Sequence, residues 1–142
     1  MLEQHTVLPT FSSFIPSKRY IQLQNNLING SVNTSSLRSG INASLLNWPK
    51  NYQICPLCWV DDQQKLGYNY WRRHFQCPGV TCCWQHSCYL IDSGIPLNSI
   101  HRHRFVGTEQ VELGVRYTEA AKPRDVLLAQ NISQLFNSSL KI

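Results

Sequence analysis

Apolar positions first fall into a helical rhythm at Tyr20, Ile21, Leu23, Leu27 and Ile28, between Ser17, which can cap a helix, and Gly30, which can stop one. Upstream, Phe11, Phe14 and Ile15 lie between Pro9 and Pro16, a pattern that predicts an extended segment packing a few aromatics. Residues 31–40 are mostly Ser, Asn, Thr and Gly and read as a loop. A second apolar cluster, Ile41, Leu45, Leu46 and Trp48, ends at Pro49. A short helix is predicted between Cys58 and Gly67, with Asp61 and Asp62 in its first turn and Gly67 just past its end. Pro78-Gly79 marks a turn. Residues 92–107, with Gly94, Pro96 and Gly107, read as a loop. Val111, Leu113, Val115 and Tyr117 alternate as in a strand, weakened by Gly114. Pro123 opens a last helix with the stripe Leu128, Ile132, Leu135 and Phe136, and Leu127 alongside. No internal repeat is visible.

Residues 52–90 hold all six cysteines, four of the six Tyr and three of the four Trp. That concentration marks a compact module and suggests three segments: a helical flank over 1–50, a metal-binding module over 51–92, and a loop with a C-terminal helical segment over 93–142. The fold expected is a small, mainly α domain stabilised by a CCCH zinc finger, with irregular loops and room for a short β-hairpin at the metal.

The 142 residues contain no apolar run of transmembrane length. Met1 to Thr6 offers neither a basic n-region nor an apolar h-region, so a cytosolic location is expected. In a reducing compartment, clustered cysteines point to metal rather than disulfides. The competing reading, a secreted and glycosylated domain, rests on sequons at Asn29, Asn42, Asn131 and Asn137, which an Asn- and Ser-rich chain also produces by chance. Thirteen Lys and Arg against eight Asp and Glu give a formal +5. Three thiolates and one divalent ion change this by −3 + 2 = −1, leaving about +4. Such a balance suits nucleic acid or an acidic protein face without requiring either.

The chemistry lies in two half-sites. Cys55-Pro56-Leu57-Cys58 is a C-x-x-C pair and Cys83-Trp84-Gln85-His86 a C-x-x-H pair, 24 residues apart. Two-residue spacing lets a tight turn aim both side chains at one ion, and zinc takes four tetrahedral S or N ligands. A closed set of four leaves no position for water or substrate, so the zinc is read as structural and the chain as no enzyme. A redox role for Cys55 and Cys58 would need a βαβ context that the pattern lacks. Cys82 rivals Cys83, but only Cys83 gives the two-residue gap to His86. Cys77 and Cys88 read as small buried hydrophobes. His74 could replace His86, though its spacing matches no half-site. No G-x-S-x-G elbow, P-loop or G-x-G-x-x-G occurs, and the deaminase pattern H-x-E…P-C-x-x-C fails at Ile54. Tyr70 and Trp71 read as core around the metal. Arg72 and Arg73 stand between surface ion pairing and contact with nucleic acid or a partner. Arg102 and Arg104 alternate with His101 and His103 in a basic loop that can meet phosphate or an acidic partner.

Taken together, Tyr52-Gln53-Ile54-Cys55-Pro56-Leu57-Cys58, Gly67, Tyr70-Trp71-Arg72-Arg73, Pro78-Gly79-Val80, Cys83-Trp84-Gln85-His86 and Leu90 resemble the TniQ family, in particular its target-selection members from Tn7-like transposons. The resemblance is specific over about forty residues, looser at His5 to Phe14 and His101 to His103. It implies a CCCH zinc finger on the same four ligands. It also implies a bacterial cytoplasmic, nucleoid-associated protein that binds double-stranded DNA at a transposon target site and an AAA+ transposition regulator (TnsC-like). The chain departs from the pattern: Trp84 replaces the usual Pro after the third ligand, Ser87 the usual Gly after the histidine, and the second cysteine pair of many members is missing after Leu90. Members are also longer, so a protein-only interaction module and a non-functional remnant of a longer protein are alternative readings.

Overall fold

The computed structural model describes residues 8–12, 14–29, 47–97, 106–113 and 118–138. Contacts divide the chain into two compact units, Met1–Asn47 with Gln134–Ile142, and Trp48–Ser133.

In the first unit, α1 (Pro9–Ser12) is one helical turn where an extended segment was expected. Pro9 brings a fixed φ suited to a helix start, and the Ser12 hydroxyl donates back to the Pro9 carbonyl at 2.7 Å. Leu8, Pro9 and Thr10 are buried. α2 (Ser17–Ile28) follows the predicted rhythm, but Ser17 is its first helical residue. Pro16 occupies the cap and no side chain bonds there, while the Pro16 carbonyl accepts from Arg19 and Tyr20. Leu23 is buried, whereas Ile21 and Ile28 are exposed. Gly30, the 31–40 loop and the Ile41 to Leu46 cluster lie outside the described residues.

The second unit carries the chemistry. β1 (Asn51–Ile54) leads into α3 (Pro56–Leu66). The helix starts at Pro56, not after Cys58, because proline suits the first helical position and Cys55 caps it. Asp61 and Asp62 therefore fall in the second turn. Gly67 closes the helix at φ 77° as predicted, with its N–H donating to the Gln63 carbonyl at 3.1 Å.

The expected loop after residue 92 begins instead as β4 (Ile91–Pro96), antiparallel to β1. Pairing runs Asn51 to Pro96, Gln53 to Asp92 and Ile54 to Ile91, with a bulge between. Gly94, at φ 76°, supplies the bulge conformation, and Asp92 accepts its N–H at 2.7 Å. The glycine and proline that looked like loop punctuation are thus bulge and strand-end residues.

β2 (Cys82–Cys83) and β3 (Cys88–Tyr89) form a short hairpin. Residues 119–121 extend it: Tyr89 donates to the Glu119 carbonyl at 2.9 Å and Ala121 to the Ser87 carbonyl at 2.8 Å. α4 (Pro123–Ser138) begins at Pro123 as predicted and is tied to β3 by Tyr89 Oη donating to Asp125 at 3.0 Å. Within this unit Ala129 is buried while Leu127 and Leu128 are exposed, so the stripe departs from the predicted one there; Phe136, in the first unit, is buried as predicted. Val111 to Leu113 form no strand but follow a 3-10 turn over Thr108–Gln110; Val115 and Tyr117 lie outside the described residues.

The core of this unit is Cys55, Cys58, Phe75, Cys83 and Cys88, with Leu90 against it. Trp71 forms an aromatic wall, stacked on Tyr52 at 4.4 Å and tilted against Trp59 at 5.8 Å. Its indole donates to the Val106 carbonyl at 3.2 Å. Tyr70, expected in the core, is instead 40% exposed and lies 5.0 Å from the Arg72 guanidinium. Helix outweighs strand among the described residues, as expected for the fold.

The 3-10 turn Arg73–Gln76 contributes a side chain that acts as a strand partner. Buried Gln76 accepts from the Gln53 N–H at 2.8 Å and donates to the Gln53 carbonyl at 2.9 Å and the Arg72 carbonyl at 3.2 Å. Replacing it with leucine leaves Gln53 unpaired on that side of β1. Gln76→Leu should cost about 2–3 kcal/mol in chemical denaturation and speed exchange of the Gln53 amide proton.

Candidate metal centre

Cys55 and Cys58 face the same point because Cys55 caps α3 and Cys58 sits in its first turn. The Cys58 N–H lies 3.5 Å from the Cys55 sulfur. The β2–β3 hairpin delivers the other pair: Cys83 ends β2 and His86 sits in the tight turn before β3. Ser87 takes φ 51°, the left-handed conformation this turn demands. That requirement explains why glycine suits the position after the histidine. Ser87→Gly should stabilise the protein by roughly 0.5–1 kcal/mol, measured as a rise in Tm at full metal occupancy.

The three sulfurs and one ring nitrogen all lie within 4.8 Å of one another. His86 Nδ1 is 3.6 Å from Cys55 Sγ, 3.3 Å from Cys58 Sγ and 3.7 Å from Cys83 Sγ, and Cys58 and Cys83 sulfurs are 3.6 Å apart. A tetrahedron with metal–sulfur bonds of about 2.3 Å and metal–nitrogen bonds of about 2.0–2.1 Å has edges of roughly 3.8 Å and 3.6 Å. These four of the six donor separations are therefore close to those one tetrahedral ion needs, and the other two fall within the same 4.8 Å. The sulfur separation is far beyond the roughly 2.05 Å of a disulfide, and none of the six cysteines is bridged.

The electrostatics agree. Hydrogen bonds from Cys58 and Cys83 hold the Cys55 thiol down to about 2, against the opposing effect of burial. The same contacts with Cys55 and Cys83, reinforced by burial, push Cys58 strongly up. Three buried sulfurs this close cannot all be anionic by themselves; a divalent cation removes that conflict. Cysteines 55, 58 and 83 with His86 form a group that can hold one metal ion.

The remaining cysteines are buried, outside this group. Cys82, fully buried, points its thiol elsewhere, with its pKa raised by burial. Cys88 lies closer, its sulfur 3.6 Å from that of Cys55, and burial followed by that contact pushes it up to about 12. His74 does not join the cluster. It packs edge-on against Phe75 at 4.4 Å. Burial, then Arg72, lowers it from 6.5 to about 4. An unfolded chain takes up this proton near pH 6.5 and the folded one does not, so stability falls as pH drops from 6.5 towards 4. Relative to His74→Gln, the metal-loaded wild type should lose about 1 kcal/mol per pH unit across that window, read by denaturation at stepped pH.

Arg72 belongs to an ion pair, donating to Asp62 at 2.7 Å. Arg73 is partly buried in the 3-10 turn. Arg102 and Arg104, with His101 and His103, lie outside the described residues. Asp61, whose carboxylate is 3.4 Å from His86 Nε2, is invisible to motif spacing because the two residues are 25 positions apart. The shared face of Cys58 and Asp61, three residues apart on one helix, was the available signal.

Among the described residues, no helix is long and apolar enough to cross a membrane. The chain is 24% identical over 142 residues to the transposon Tn7 transposition protein TnsD of Escherichia coli, an alignment covering 97% of this chain and 27% of that protein. The chain thus spans about a quarter of the length of that relative. No solved structure matches. The TniQ family model matches residues 1–90, which include β1, α3 and both halves of the metal centre. The chain belongs to the TniQ family.

Proposed function

We propose that this chain is a DNA-associated adaptor for target-site selection in a Tn7-like transposon, with one structural zinc ion held by Cys55, Cys58, Cys83 and His86. The observation that carries the reading is similarity to TnsD along nearly the whole chain, joined to a centre whose donors converge. Three sulfurs and one nitrogen in a tetrahedral arrangement suit zinc above harder cations. Zinc would neutralise the thiolates and cross-link α3 to the β2–β3 hairpin. Four protein donors fill its coordination, so the chain is an adaptor and not an enzyme. The partners are double-stranded DNA at a transposon target site and an AAA+ regulator of the TnsC kind, in the bacterial cytoplasm. Arg72 is committed to Asp62; phosphate or partner contact is assigned to Arg73, Arg102 and Arg104 from their place in the sequence. The finger spans 51–92, with 1–50 and 93–142 as its flanks.

A second reading, a module that binds protein alone, is favoured by the exposed Leu57, Val60, Leu66 and Tyr68 on and just after α3. A gel shift of attachment-site DNA, with and without the AAA+ regulator, separates the two. The adaptor should retard that DNA, with affinity falling steeply between 50 and 200 mM salt. Binding to the regulator with no retardation under either condition would leave the protein-only module.

A further inference from the structure

His86 turns its Nδ1 towards the three sulfurs and its Nε2 away from them. The group that meets Nε2 is the Asp61 carboxylate, at 3.4 Å, a few tenths of an ångström outside ordinary hydrogen-bond range. α3 puts it there: Asp61 lies one turn beyond Cys58, on the same face. Its neighbour Asp62 is taken up by Arg72. The same Asp61 oxygen lies 3.5 Å from Lys65, one further turn along, but that lysine is 73% exposed and the surface pair is too solvated to fix the carboxylate.

We infer that Asp61 is a positioning residue for the metal: it accepts the Nε2–H of His86, fixes the tautomer that leaves Nδ1 free to coordinate, and raises that nitrogen's basicity. The inference rests on the Cys3His reading of the centre and adds an outer partner to it. A metal-bound imidazole commonly gives its other N–H to a carboxylate or carbonyl, and loss of that partner weakens metal binding 10- to 100-fold. Here the Asp61 side chain is 42% exposed and the His86 side chain 25%, so water competes and the effect belongs near tenfold.

The test is zinc affinity by chelator competition for the wild type, Asp61→Asn, Asp61→Ala and Lys65→Ala, with nitrogen-15 spectra of the His86 ring in the zinc-loaded proteins. Asp61→Asn and Asp61→Ala should bind zinc about tenfold more weakly, and their Nε2-bound proton should exchange faster with solvent. Lys65→Ala should stay within about twofold of the wild type. The ring signature separates positioning from a general loss of helix stability, which would leave it unmoved. Asp61 variants that hold zinc within twofold of the wild type, with an unchanged ring spectrum, overturn the inference while leaving the centre intact. A wild type without stoichiometric zinc overturns both.

Discussion

Cys83→Ser should lose metal binding and unfold the Trp48–Ser133 unit, whereas Cys82→Ala, one residue away and equally buried, should keep both. The contrast follows from what the core is made of. Cysteines 55, 58, 83 and 88 surround Phe75 and make up the rest of that five-residue cluster, and three of them belong to the candidate metal group. Burying thiols against one phenylalanine yields little, and a unit of this size has a folding free energy of only about 5–15 kcal/mol. A structural zinc in a small finger contributes an apparent 10–16 kcal/mol or so at neutral pH, comparable to the whole. Serine offers a weakly acidic hydroxyl in place of a thiolate. The affinity should therefore fall on the order of a thousandfold or more, about 4 kcal/mol, and the remaining three donors would not hold the hairpin to α3. Cys82 lies outside the ligand group, so its truncation leaves only a small void, worth about 1 kcal/mol. Metal content by mass spectrometry and near-ultraviolet dichroism read the two variants together. A Cys83→Ser protein with one equivalent of zinc and native dichroism would refute the centre.

The convergence of Cys55, Cys58, Cys83 and His86 was legible because coordination imposes local spacing. A C-x-x-C opened by Pro56 places one cysteine at a helix cap and the other in the first turn, and a C-x-x-H at a hairpin tip does the equivalent. Choosing Cys83 over Cys82 followed from that spacing, and the structure brings Cys83 to the cluster. Hidden features depended on partners distant in sequence. β4 was missed because Gly94 and Pro96 have the composition of a loop, and only β1 across the sheet converts them into a bulge and a strand end. The α4 stripe was misjudged because Leu127 and Leu128 outweigh Ala129 in hydrophobicity, although Ala129 is the residue that is buried. Tyr70 was assigned to the core from its aromatic neighbours, yet Trp71 alone fills the space between Tyr52 and Trp59. Gln76 has no pattern at all: a glutamine that completes a strand is recognisable only beside Gln53.

Arg72→Ala should destabilise the protein by about 3 kcal/mol, and this outcome separates a structural arginine from one that grips DNA. Arg72 and Asp62 meet at 2.7 Å with side chains only 19% and 10% exposed. Burial draws the arginine pKa down, but the nearby Cys58 sulfur and the hydrogen-bonded Asp62 carboxylate push it up and prevail. The guanidinium thus answers the Asp62 carboxylate and sits beside Cys58 of the Cys3His cluster. Removing it leaves the Asp62 carboxylate enclosed without a counter-ion, which in buried pairs costs about 3–5 kcal/mol; partial exposure places this pair at the lower end. The contact with Tyr70 is lost as well, adding roughly 0.5 kcal/mol. At about 4–8 °C per kcal/mol for a domain of this size, Tm should fall by more than about 10 °C. Asp62→Leu combined with Arg72→Met should recover most of that loss, because a hydrophobic pair replaces both charges together. An arginine serving mainly as a phosphate contact would behave in the opposite way. Arg72→Ala would then leave Tm unchanged and reduce the salt dependence of DNA binding by about one unit of slope. Measuring both quantities on the zinc-loaded variant decides between these roles, and the geometry of the ion pair predicts the first.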